Sequence, residues 1–408
     1  MFLRVTLPLA AATFVNQAAR TVMAIVGPAL AVEFGLSASE LGLLSACMFA
    51  AYGVAQLPVG FALDTIGPRR LQAGLMLVAA AGFVVFALAG SLAGFAAARL
   101  LLGIGVSAGL MALIKGNALW FPPARVAGIT GAGVALASLG SVLATAPVEA
   151  ALPWIGWRGV FWILAAVSLG AGAWIFLAAR EKPRAAAPRP AGEELAVLGA
   201  VLRSRPFWRY GPAVAMLSVL NFTYLGLWAG PWLRDVAGFD GPQRARILMA
   251  YTIALLAGSL VLGQATSRAQ ARGRSPLLVP MLCMGALMLA QVGLMWHPAH
   301  PALVVALWLA FAFFGAAGPS GYIAVGQMYP PEQTGRVSTA INTMVLGGAF
   351  ALQAAIGGIL DLWPRTASGG WDPAGYSAAL MLSVAVQALC ALQVAGWTRA
   401  GRAHGRRA

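Results

Sequence analysis

Gly60-Phe61-Ala62-Leu63-Asp64-Thr65-Ile66-Gly67-Pro68-Arg69-Arg70 is a compact charged turn between two long apolar segments, in a chain where only 10% of residues are charged. Soluble domains carry about 25% charged and 45–50% apolar residues, whereas 60% of this chain is hydrophobic. The apolar segments are therefore read as membrane spans, each needing about 20 mainly apolar residues to cross the hydrocarbon core. The runs and their breaks fall at 6–29, 40–62, 71–92, 96–119, 127–151, 158–179, 209–233, 245–266, 275–296, 301–325, 337–360 and 375–397. Runs of this length are helical, and a barrel of alternating strands of about ten residues is excluded. The expected class is an all-α membrane protein with twelve transmembrane helices.

The net charge of +15 invites a nucleic-acid reading, but the positions of the 27 basic residues account for it differently. Arg20, Arg99 and Lys115 lie within the runs. With loops counted alternately from a cytoplasmic N-terminus, Arg158, Arg234, Arg244, Arg246 and Arg365 fall outside and all the others fall inside. That is the positive-inside bias that sets orientation. Both termini are expected in the cytoplasm, and no nucleic-acid partner is expected. Cys47, Cys283 and Cys390 stand singly in apolar runs and read as packing residues, not as a disulfide or a metal site. The three histidines add no metal-ligand pattern. Residues 6–25 are kept as the first helix and not as a signal peptide, because Asn16, Gln17 and Arg20 interrupt the apolar core and no clear cleavage site follows.

From Arg180 to Arg209 the chain changes character, with Pro183, Pro188, Pro190, Glu193, Glu194 and several arginines between two hydrophobic blocks. The expected division is a six-helix bundle at 1–180, a cytoplasmic linker at 181–208, a second six-helix bundle at 209–398 and a cytoplasmic tail at 399–408. Weak echoes join the halves. Trp120-Phe121-Pro122-Pro123 resembles Met328-Tyr329-Pro330-Pro331, and Gly263-Gln264-Ala265-Thr266-Ser267-Arg268 echoes the opening turn with serine in place of aspartate. Two pseudo-symmetric halves with a substrate cavity between them near the bilayer midplane are the expected architecture.

The pattern made by Gly60, Asp64, Gly67, Arg69 and Arg70 resembles the signature between the second and third helices of the major facilitator superfamily, a large class of secondary transporters. Arg99-Leu100-Leu101-Leu102-Gly103-Ile104-Gly105 resembles the family's fourth-helix motif, and Gly156-Trp157-Arg158-Gly159-Val160-Phe161-Trp162 resembles the usual entry to the sixth helix. The resemblance covers the whole chain. It implies that Asp64 and the arginines of its turn latch the cytoplasmic ends of the halves, a gating role shared by Gly60, Asp64, Gly67, Arg69 and Arg70. It also puts Arg99 where the family uses an arginine for structure and proton coupling.

Arg20, Pro28, Tyr52-Gly53 and the Asp64 turn are together similar to the start of organophosphate exchangers and anion:cation symporters, in which a first-helix arginine contacts the anionic group of the substrate. The chain departs from both. Ala19 stands where the symporters often carry an aspartate, Val106 at about their fourth-helix acid, and Asn221-Phe222-Thr223-Tyr224 where the exchangers have a second arginine. A monoanion such as a carboxylate is thereby favoured over a doubly charged phosphate ester.

An ionisable residue inside a span is a functional candidate by default, because a charge is costly in hydrocarbon. Arg20 lies about 14 residues into the first helix, roughly 21 Å at 1.5 Å per residue. Thr13, Asn16, Gln17 and Arg20 share one helix face; the stripe either lines a cavity and contacts an anion or bonds neighbouring carbonyls. Arg99 and Lys115 cannot both face one cavity, since 16 residues turn about 160° around a helix. Lys115 lines the cavity or snorkels toward the cytoplasmic surface. Neutral stripes are Tyr52 and Gln56, then Asn221, Tyr224 and Trp228, then Asn342 and Gln353, each read as helix packing or as substrate contact. Ser138, Ser141, Thr145 and Glu149 form another, with Glu149 either a partner of Arg158, simply exposed, or a proton-coupling site.

Gly103, Gly105 and Gly109 permit close helix contact; a dinucleotide fingerprint would need a preceding strand. The chain has no Gly-x-x-x-x-Gly-Lys-Ser/Thr sequence, which argues against an ATP-driven pump. The expected function is proton-coupled uptake of a small organic anion by a monomeric transporter in the cell (inner) membrane, working in the lipid bilayer without enzymatic activity, cofactor or metal. The alternative is a proton-coupled exporter of drugs or metabolites, with Glu149 or Asp361 as the proton site.

Overall fold

The computed structural model describes residues 1–179, 191–366 and 369–404, and every extended regular element among them is helical. α1 (Thr6–Phe34) runs through Pro28 and stops at Gly35, whose φ of 63° closes the helix in the left-handed conformation. α2 (Ala38–Thr65) starts at a reciprocal capping box: Ser37 Oγ accepts from the Glu40 N–H, and the Glu40 carboxylate accepts from the Ser37 N–H. Ile66 and Gly67 alone separate α2 from α3 (Pro68–Leu88). This tight turn needs Gly67 at φ 92° and uses Pro68 at the first helical position, where a missing N–H costs nothing.

Then come α4 (Leu92–Gly105), α5 (Gly109–Trp120), α6 (Pro123–Leu143), α7 (Ala146–Ala178), α8 (Ala191–Arg203) and α9 (Arg205–Thr223). A π turn, Tyr224–Trp228, leads into α10 (Ala229–Asp235). The remaining elements are α11 (Gly241–Ala271), α12 (Leu278–Met295), α13 (Pro301–Gly315), α14 (Gly318–Gly326), α15 (Pro331–Leu360) and α16 (Pro373–His404).

Eleven helical runs among the described residues are long and apolar enough to cross a membrane. The twelfth expected span is present in broken form. α6 ends before Ala144 and Thr145, leaving only the shorter apolar stretch Gly128–Leu143. α7 is itself divided by Gly156, at φ 62° and ψ 174°, into pieces at 146–155 and 157–178. The expected fifth span is thus α6 with the first piece of α7, interrupted beside Pro147, and the sixth is the second piece. The expected linker is partly helical, since α8 occupies 191–203; residues 181–190 lie outside the described residues, as does the end of the tail.

The chain forms two compact units. The first comprises Met1–Arg189, Leu225–Pro231 and Phe239–Thr252; the second comprises Pro190–Tyr224, Trp232–Gly238 and Ile253–Ala408. In the first, α1 packs along α6, α5 and α7, while α4 lies against α2 and α3. Its aromatic core stacks Phe86 on Phe161 at 4.0 Å, with Trp157 edge-on to both and Phe95 tilted against Phe86. In the second, α9 is central, against α14, α15 and α16, and α12 packs on α13 and α16. Helices in lipid associate by close packing more than by hydrophobic drive. Gly103 accordingly lies where an added Cβ would overlap the carbonyl oxygen of Met48, and Gly140 where it would overlap that of Phe14.

Candidate functional site

The expected continuous fourth helix is broken. Between α4 and α5 the ladder tightens into three-residue turns at Val106–Ala108: the Ser107 N–H donates to Ile104 O at 3.2 Å and the Gly109 N–H to Val106 O at 3.3 Å. Carbonyls at such an interruption inside a membrane take further partners. Two amides from neighbouring helices donate to carbonyls of this turn. Asn16 Nδ2 on α1 donates to the Val106 carbonyl at 3.0 Å, and Gln56 Nε2 on α2 donates to the Ser107 carbonyl at 3.2 Å.

Arg20 and Tyr52 complete this cluster. Asn16 Nδ2 also donates to Tyr52 Oη at 3.3 Å, and the half-buried Arg20 guanidinium lies 5.1 Å from the centre of the Tyr52 ring. That is cation–π distance. Asn16, Arg20, Tyr52 and Gln56 are therefore brought together around one helix break, with a guanidinium as the charge present. Gln17, next along α1, is half-buried, and its backbone carbonyl accepts from Ser141 Oγ on α6.

Lys115 is placed elsewhere. Its ammonium donates to the Leu63 carbonyl at 2.9 Å, one residue before Asp64. Of the gating candidates, Arg69 donates from Nε to the Phe176 carbonyl at 2.8 Å and covers the Phe176 ring, while Arg70 is exposed. Gly60 has open space beside it, and Gly67 makes the turn. The Asp64 side chain lies outside the described residues.

Arg99 is fully buried and spans two helices from a third. Its Nε donates to Leu44 O at 3.2 Å, Nη1 to Ala19 O at 3.1 Å and Nη2 to Ser45 O at 3.4 Å. Arg158 takes Glu33 as its ion partner at 3.0 Å, and Trp157 Nε1 donates to the same carboxylate at 2.6 Å. Glu149, weighed in the sequence as the partner of Arg158, instead lies against Gly241 with Arg244 close by.

In the second unit, Asn221 donates to the Leu217 carbonyl at 3.2 Å and its amide fills the space beside Gly315, the last residue of α13. Gln353 Nε2 on α15 donates to the Phe222 carbonyl at 3.3 Å, and Asn342, three turns earlier, is half-buried. Tyr224 Oη bonds Ser383 Oγ at 3.1 Å, with Trp308 and Phe311 packed on its ring. The stripe of Asn221, Tyr224 and Trp228 assumed α-helical spacing; the π turn at Tyr224–Trp228 widens that spacing, and Trp228 falls in the first unit. Sequence reasoning also missed Tyr322, which donates to Ser218, and Ser383. The glycines of 103–109 were the available signal for the helix break, but they were read as contact residues alone.

A family model described as Major Facilitator Superfamily matches residues 9–354. A probable sulfoacetate transporter of Cupriavidus necator is 26% identical over 57% of this chain, which spans 57% of that relative's length. A protein of Pseudomonas aeruginosa named as a transcription regulatory protein is 26% identical over 79% of this chain and 76% of its own. A gentisate transporter of Corynebacterium glutamicum is 25% identical over 90% of this chain and 82% of its own. Among solved structures, a bacterial homolog of the human lysosomal transporter Spinster, inward-facing and occupied, superposes with a TM-score of 0.74 at 18% identity, over 97% of this chain and 96% of that one.

Proposed function

This chain belongs to the Major Facilitator Superfamily, and from that premise we propose that it carries a small organic anion of the carboxylate type across the membrane by alternating access. The observation that carries the reading is the cluster of Asn16, Arg20, Tyr52 and Gln56 around the break in α4. Arg20 is the one cation there, held over an aromatic face in a setting where a counter-charge is worth more than in water. Relatives named for sulfoacetate and gentisate transport support an acid as substrate. In the second unit the candidates for substrate contact are uncharged: Asn221, Tyr224, Asn342 and Gln353. Lys115, on α5, bonds the Leu63 carbonyl near the end of α2 and not the Arg20 cluster, so it acts at the margin of recognition, as does Trp228.

The direction is uptake, coupled to protons, in an inner membrane with both termini cytoplasmic and the monomer as the working form. Asp64, Gly60, Gly67, Arg69 and Arg70 gate the cytoplasmic side. Arg99 serves as a positioning residue, because three carbonyls already use its donors, and Glu149, with Arg244 and Asp240 nearby, is the group that exchanges the proton. Transport into liposomes driven by an inward proton gradient tests this directly. The wild type accumulates a labelled carboxylate, Arg20→Gln does not, and Glu149→Gln exchanges substrate but loses stimulation by the gradient. Asp64→Asn impairs transport while leaving affinity within a few-fold. Full gradient stimulation in Glu149→Gln would move the proton onto the substrate's own carboxyl group, and accumulation only of cations would remove the anion reading.

A further inference from the structure

Asn16 and Gln56 each commit the amide nitrogen to a backbone carbonyl. Only the nitrogen of an amide can donate, so these two bonds settle which way each group is turned. The oxygens, Asn16 Oδ1 and Gln56 Oε1, are then acceptors, both closed off from solvent and with no hydrogen-bond partner among the described residues. Their residues are 2% and 1% exposed. A buried acceptor left unpaired bears the full cost of its lost hydration, and such groups in a folded protein need an explanation.

The place of the two oxygens supplies one. Asn16 stands one turn before Arg20 on α1, and Gln56 one turn after Tyr52 on α2. The cluster therefore offers a cation together with two acceptors that lack donors. A carboxylate or sulfonate brings acceptors alone: it satisfies Arg20 and leaves both amide oxygens unpaired. A hydroxyl group on the carbon skeleton brings the missing O–H. We propose that the substrate is a hydroxylated organic acid, its acid group held by Arg20 and its hydroxyl groups donating to Asn16 Oδ1 and Gln56 Oε1. This rests on the reading of the Arg20 cluster as the substrate site and narrows it from organic anions in general. A site built to receive a hydroxyl discriminates strongly against the analogue that lacks it, since its own polar groups are left unpaired.

The test is calorimetric titration of the purified full chain with matched pairs, glycerate against propanoate and dihydroxybenzoate against benzoate. The expected result is at least about tenfold tighter binding of the hydroxylated member in one pair or both, equivalent to about 1.4 kcal/mol. Binding of the acids with less than tenfold preference in both pairs would overturn the inference while leaving the anion site standing. Absence of binding by any organic anion would instead remove the site on which it rests. In Gln56→Met the ratio within a pair falls, a readout from which any general loss of affinity cancels; an unchanged ratio would exclude Gln56 as the hydroxyl acceptor. If that variant does not fold, the wild-type pairs decide.

Discussion

Asn16 and Asn221 occupy matching places in the two units, each on a helix that meets another helix at a break: α1 against the gap after Gly105, α9 against the gap after Gly315. Two residues before each asparagine, the helix is approached by a glycine from a further helix. Gly140 lies on Phe14 in the first unit and Gly348 on Val219 in the second. Four residues after the asparagine the likeness ends, because Arg20 follows Asn16 whereas Leu225, where the chain has already passed into the first unit, follows Asn221. The deep interior differs in the same sense. The first unit buries the Arg99 guanidinium among carbonyls, while the second buries Trp308 among Tyr224, Trp232 and Phe311. One packing scheme thus carries a cationic interior in one unit and a neutral aromatic one in the other, and the proposed function rests the choice of an acid on that difference.

The largest effect is expected where the units differ most in burial of charge. Arg99→Met removes a fully buried side chain that ties α4 to carbonyls of α1 and α2, three charge-assisted bonds worth about 1.5–3 kcal/mol each, and folded protein should be nearly lost in size-exclusion yield; Trp308→Phe should lower the melting temperature by only a few degrees. Next comes recognition. Arg20→Gln should weaken anion binding about 100-fold, the range for truncating a desolvated charge partner, against less than about tenfold for Asn221→Ala, and equal losses would break the asymmetry.

A smaller contrast tests the shared packing. Gly140→Ala sets a methyl against a backbone oxygen that cannot yield, for a loss of about 1–3 kcal/mol. Gly348→Ala meets a methyl of Val219 in place of a backbone oxygen and should cost less than Gly140→Ala; thermal unfolding of the two variants side by side measures the difference.

The smallest effect belongs to His297, outside the spans, where it bonds Ser377 Oγ at 2.7 Å. Burial lowers its pKa below the ordinary 6.5, and the Asp372 carboxylate only partly offsets this. Folding therefore favours the neutral ring. Its contribution is fully present above the unfolded value near 6.5 and is lost as pH falls through the folded value. The melting temperature should drop about 1–2 °C more between pH 7 and pH 5 in the wild type than in His297→Asn, whose side chain also tolerates the left-handed backbone at this position.

The helical class and the count of spans were legible because hydrocarbon thickness imposes run length on the sequence. The charged turn was legible because Gly67 can take the positive φ that the turn needs and Pro68 suits the first position of the next helix. What composition hides is the interruption of a span. Ala144–Thr145, Val106–Ala108 and Ala316–Ala317 are small or apolar residues that read as helix; local three- and four-residue turns bond their backbone, and at the fourth span Asn16 and Gln56, distant in sequence, add further donors. Candidate residues at helical spacing were found well on α1 and α2, where the helix is regular, and less well after Asn221, where the π turn alters the register. The partners of Arg99 and Arg158 were out of reach for a related reason: backbone carbonyls carry no mark in a sequence, and Glu33 sits 125 positions from its arginine.

The central claim is that this protein takes an organic acid through a charge held by the first unit. It is tested most directly by thermal unfolding of the purified protein with carboxylates, sugar acids, phosphate esters, neutral sugars and cationic drugs, because a ligand that binds only the native state must raise apparent stability. The account predicts a rise with one class of organic acid that disappears in Arg20→Gln. A rise with cations or neutral compounds alone, or one that survives unchanged in Arg20→Gln, would contradict it.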